Sequence, residues 1–110
     1  MSAEFFHGEP VMVDYTPGAD VKAGDMIALG TKTLVAHTDI PADELGALSY
    51  PGGQSVYKVT LDTGRVLALG AAVTVDLALG DTSGAVAFGV AVAAADQTAG
   101  DTHVLAMLDN

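Results

Sequence analysis

The chain has no cysteine and no tryptophan, and only three phenylalanines and three tyrosines in 110 residues. Without thiols, a disulfide framework and thiolate catalysis are excluded, and the redox compartment is left open. Basic residues are scarce too: four Lys and Arg stand against fourteen Asp and Glu, for a net charge of −10. Nucleic acid and anionic membrane surfaces both select for a basic patch, so neither is expected as a partner. Long hydrophobic runs are also missing. The longest apolar stretch, Gly84 to Ala95, is too short to cross a bilayer and stops at Asp96. Met1-Ser2-Ala3-Glu4 lacks the basic start and apolar run of a signal peptide, so a soluble protein kept without secretion is expected.

What remains is short, glycine-punctuated and rich in alanine and valine. The length fits one domain, and a domain this size buries roughly 60–70% of the surface its unfolded chain exposes. Much of its apolar content is alanine, which adds little area per residue, so the core is thin and association with further copies is an expected source of stability.

The stretch from Ala85 to Leu108 sets the fold class. Val86, Phe88, Val90 and Val92 fall at every second position with Ala87, Gly89 and Ala91 between them, which is a strand pattern and not a helical stripe. Thr102 to Leu108 alternates as well, and the polar connection Asp96 to Asp101 predicts an antiparallel hairpin with a longer loop. This last strand is apolar on both faces, with Leu105 and Met107 opposite Val104, Ala106 and Leu108. It is expected deep inside a barrel or sandwich or against another subunit, and Leu105 and Met107 are its candidate subunit-interface residues.

Upstream, Ser2 to Glu9 form a short polar arm interrupted by Phe5-Phe6-His7. Adjacent aromatics on an extended chain point to opposite sides, so the segment is either a first strand or an arm whose Phe5, Phe6 and His7 contact a partner. Strands are predicted over Pro10 to Tyr15, Met26 to Leu29, Leu34 to Thr38, Ala47 to Ser49, Ser55 to Leu61 and Val73 to Asp76. Thr16-Pro17-Gly18-Ala19 reads as a type II turn. Pro41 to Leu45 could open a helical turn that Gly46 limits, Val66 to Leu69 is ambiguous, and Leu77 to Ser83 reads as a connection. VKAGDMIAL (Val21 to Leu29) and LALGAAVTV (Leu67 to Val75) echo each other around a shared glycine, as a duplication or as a recurring corner. The expectation is an all-β domain, a small β-barrel or β-sandwich of short antiparallel strands, over residues 10–110, preceded by an extended N-terminal arm over 1–9.

Chemistry is hard to find. There is no phosphate-binding loop, no nucleophile elbow and no calcium loop. His7, His37 and His103 are far apart in sequence, and most aspartates sit beside Gly, Thr or Pro, where they serve turns. No catalytic, metal or cofactor-binding residue is assigned, no cofactor is expected, and the chain is read as a non-enzyme.

The order of its segments nonetheless resembles the head decoration, or capsid cement, proteins of tailed bacteriophages. VKAGDMIALG stands in the place of a glycine-aspartate strand motif of that family. DELGALSYPGGQSVYKV is similar to its acidic segment before a strand ending near lysine, and LGAAVTVD to a later strand that is often aromatic there. FGVAVAAADQTAGDTHVLAMLDN resembles its closing hairpin, the most specific block. Val73-Thr74-Val75 and Leu34 to His37 depart from the family pattern, so local packing is not carried over. The resemblance implies a structural virion protein, made in the host cytoplasm, that decorates the capsid surface as a homotrimer and stabilises it by bridging neighbouring copies of the major capsid protein. It also implies that the arm could add a strand to a capsid sheet. The alternative from the residues alone is a β-barrel module recognising a surface glycan, for which Tyr15, Tyr50 and Tyr57 are the aromatics on offer.

Overall fold

A computed structural model describes residues 3–8, 11–52 and 55–110. In chain order the strands are β1 (Ala3–His7), β2 (Val11–Tyr15), β3 (Met26–Leu29), β4 (Lys32–Ala36), β5 (Gly46–Tyr50), β6 (Val56–Thr60), β7 (Val66–Leu67), β8 (Ala72–Asp76), β9 (Asp81–Ala91), β10 (Ala95–Asp96) and β11 (His103–Leu108), with a 3₁₀ turn at Gln97–Ala99. They form a five-stranded sheet in the order β1-β6-β11-β9-β8, a four-stranded sheet β2-β5-β4-β3 and a two-stranded ribbon β10-β7. The chain is all-β, and its sheets stay open. Of the two expected forms it takes the layered one, not a closed barrel.

Side-chain alternation explains the layering. Thr33, Leu34, Val35 and Ala36 of β4 are all buried, so both faces of that strand are covered. Val35 and Met26 join Tyr57, Val59, Val73, Val75, Phe88, Val104, Ala106 and Leu108 of the five-stranded sheet in the main core. Leu34, Ala36 and Leu48 point the other way and pack with Val21 and Ile40 in a second, smaller core. Val21 and Ile40 belong to the β2–β3 and β4–β5 connections, which exchange two backbone hydrogen bonds through them (2.9 and 2.8 Å). The four-stranded sheet is therefore a middle layer, with the larger sheet on one side and a roof of loops on the other.

Carboxylates tie that roof together. Asp20 accepts from the Ala42 N–H, Asp39 from Ala23 and Asp25 from Lys22. Only the Asp25 bond is the local turn role expected of aspartate; those of Asp20 and Asp39 cross between the two connections. The roof also overrides two local expectations. Gly18 does not take the positive φ of a type II turn. The preceding Pro17 is buried and its carbonyl accepts from Asp43 N–H, so a tertiary contact sets the bend. Asp43 itself has φ +64°, which interrupts the helical turn that Pro41 could have started.

The two echoing segments share one backbone geometry. Gly24 and Gly70 both have positive φ (90° and 85°), just ahead of β3 and β8. Gly24 N–H donates to Ala36 O while Ala36 N–H donates to Asp25 O, and Gly70 N–H donates to Ala91 O while Ala91 N–H donates to Ala71 O. Each glycine thus turns the chain into the first strand of an antiparallel hairpin, at a φ that other residues rarely adopt.

Strand β9 is longer than its alternation suggested. The Asp76 carboxylate caps the N–H groups of Ala78 and Leu79 in a tight turn, and the strand resumes at Asp81 where a loop was expected. At Gly89 the backbone of β11 leaves no room for a side chain, since a Cβ there would run into the Met107 carbonyl oxygen. Asn110 then joins the sheets. Its side-chain NH2 donates to the carbonyls of Thr33 and Phe88, and its side-chain Oδ1 accepts from Thr33 N–H.

Candidate interaction surface

Phe5 and Phe6 lie on β1, at the edge of the five-stranded sheet, where Phe5 is opposite Tyr57 of β6. The pleat sends the two rings to opposite faces, as extended backbone must. Phe5 covers His37 (ring centroids 4.7 Å apart) and meets Tyr57 edge-on at 5.6 Å. Phe6 lies on the outer face beneath the Lys58 ammonium, 5.4 Å from its ring centroid. The backbone of His7 lies opposite Val56 after an irregularity in the register. Residues 3–7 of the expected arm are thus an edge strand. Its inner side is paired with β6, and its outer side has no strand partner among the described residues.

A polar network sits beneath Phe5. His37 Nε2 and the Tyr57 hydroxyl are 2.6 Å apart. Burial holds the His37 imidazole below its ordinary pKa and pushes the Tyr57 hydroxyl up, with the Ser49 and Ser55 hydroxyls offsetting part of the latter. Both serines are fully buried and make no hydrogen bond of regular geometry among the described residues. Tyr57 is itself fully buried, which removes it from the aromatics that a glycan could reach.

Leu105 and Met107 occupy β11, which is hydrogen-bonded on both sides, to β6 and to β9. Its backbone therefore has no free edge, and only side chains can meet a partner. Val104, Ala106 and Leu108 fill the main core, while Leu105 and Met107 are half-buried on the outer face, where Leu105 is opposite Lys58 and Met107 lies between Val56 and Val90. One face of the strand is deep inside the sandwich and the other is at the surface.

His103, Asp62 and Arg65 have side-chain partners. Thr102 Oγ1 and His103 Nδ1 are 2.8 Å apart. Asp62 pairs with Arg65 at 2.9 Å and accepts from the Thr82 hydroxyl, which holds its carboxyl below the usual range. Among the described residues no group of three or more His, Asp or Glu is placed to hold a metal ion. A groove of about 340 Å³ runs beside the β7–β10 ribbon, where no sequence motif marks a site. Its only sequence signal was an apolar run, Val66 to Leu69, that fits neither period.

No curated relative and no solved structure matches the chain. The family model for phage cement protein matches residues 7–108, from β1 to the end of β11. With the model matching nearly the whole of this all-β domain, the chain belongs to the phage cement protein family.

Proposed function

We propose that the chain coats the outside of a tailed-phage head as a homotrimer and bridges neighbouring subunits of the major capsid protein. The family gives it a structural, capsid-stabilising place in the virion. The observation that carries the finer reading is the outer face of the five-stranded sheet, where Leu105, Met107 and Val90 have no third layer over them among the described residues. A second copy is the occupant that would complete a thin core there. The exposed Phe6 ring and β1, the last strand of its sheet among the described residues, then face the shell, where a capsid strand could be added alongside. Weak contacts of this kind become strong when one trimer holds several at once.

Light scattering of the purified chain, followed by mixing with undecorated heads of its phage, tests this. A trimer that saturates the heads is expected. A monomer with no affinity for heads would end the proposal. Met107→Asp is expected to lower trimer formation. Deleting residues 2–9 is expected to lower head occupancy, and because β1 also supplies buried Ala3 to the core, Phe6→Ser is the gentler companion.

A further inference from the structure

Beyond the trimer face and the arm, the chain exposes apolar side chains at a third place. Val66 is 60% exposed and Leu69 70% exposed, and beside them Val66, Leu67, Ala68 and Ala94 floor the 340 Å³ groove. Apolar surface bounded by polar groups is what an interaction site presents. The groove is also built in advance. Leu67 and Val66 pair with Ala95 and Asp96, Gln97 N–H donates to Arg65 O, and Gly64 N–H donates to the Gln97 side chain. Its walls need no ordering when something enters, which favours binding.

We infer that this groove docks an extended apolar segment of the capsid shell protein that carries a lysine or arginine, an inference that rests on the capsid role proposed above. The charged groups lining the groove are the carboxylates of Asp96 and Asp101. The nearest cation, Arg65, is turned to the other side of Val66, where Asp62 and the Thr82 carbonyl hold it. An occupant with aliphatic side chains and one cationic end matches that lining in both respects.

A second copy does not supply such a segment. The chain has four basic residues. Lys32 donates to the Asn110 carbonyl, Lys58 lies over Phe6 between buried Tyr57 and Val59, and Arg65 is held by Asp62. Lys22 follows Val21, which is buried in the second core. Three of the four are thus engaged within their own subunit and Lys22 sits in a turn, so no extended apolar segment of this chain offers a free cation, and the shell is the partner of different sequence that the family provides.

The test compares Val66→Ser and Ala94→Arg with the native chain for binding to undecorated heads. Both sites are exposed, so thermal midpoint and trimer mass are expected to stay unchanged while head affinity falls about tenfold or more. Asp101→Asn keeps an acceptor for the Asp96 N–H and is expected to weaken binding about threefold while flattening its salt dependence. Leu69→Cys gives the chain its sole thiol, and a photo-crosslinker there is expected to join a capsid-protein peptide containing Lys or Arg among aliphatic residues. Native affinity in both groove variants, or crosslinks confined to other copies of this chain, would overturn the inference while leaving the capsid role intact. Failure of the native chain to bind heads would instead remove the capsid role itself.

Discussion

The two sheets finish their outer faces differently. The four-stranded sheet is roofed by its own connections, where Val21 and Ile40 close over Leu34, Ala36 and Leu48. The five-stranded sheet has Leu105, Met107 and Val90 half-buried on its outer face, with no second roof among the described residues. The difference follows from supply. The connections flanking β3–β4 are long enough to fold back over a sheet, whereas those between β8, β9 and β11 are used in tight turns and in the β10 ribbon. A chain with few large side chains has closed one face internally and, among its described residues, left the other open.

Both faces depend on the strand between them and the core, so the largest effect is expected from breaking the β9–β11 approach. Gly89→Val would drive a side chain into the Met107 carbonyl, and urea unfolding should show a loss above about 4 kcal/mol or no cooperative transition at all. Next comes the roofed face itself. Leu48→Ala should lower stability by about 2–5 kcal/mol, whereas Met107→Ser on the open face should change the isolated subunit by less than about 1 kcal/mol and act instead on self-association. Equal effects of the two in monomer unfolding would erase the distinction drawn between the faces.

The clamp between the sheets should matter less. Asn110→Ala removes the amide that serves Thr33 and Phe88, with an expected loss of about 1–3 kcal/mol in denaturant unfolding. The smallest effect is expected at His37, beneath Phe5 of β1. Burial disfavours the charged imidazolium of His37, so its folded-state pKa lies below the ordinary 6.5. The unfolded chain then binds the proton more readily, and the stabilisation present above pH 6.5 is lost as pH falls below it. The thermal midpoint of the native chain should drop more between pH 7 and pH 5 than that of His37→Gln; parallel curves would show that His37 does not couple to folding.

Much of this was legible in the residues. Met26–Leu29 and the closing hairpin follow from alternation bounded by turn formers, and Gly24 and Gly70 mark corners with the same backbone geometry. Other features were not legible because their causes are distant in sequence. The bend at Pro17 is fixed by Asp43, the strand from Asp81 pairs with Thr60, and Thr82 is buried beside Asp62. Turn composition around Leu77 to Ser83 argued for a loop, and long-range pairing outweighed it. Of the candidate site, Phe5 and Phe6 on opposite faces were readable from period two, as was the double apolar character of β11. The groove beside Val66 was not, since it exists only where β7 meets β10.

Alternation along the backbone determined that the chain would be extended, where most of its strands lie and which side chains share a face, because strand geometry is a local property repeating every two residues. Only the tertiary structure decided which face would be covered. That choice depends on where connections land and which sheets stack, and these are set by contacts between residues such as Val21 and Ile40, or Asn110 and Thr33, that no local pattern pairs.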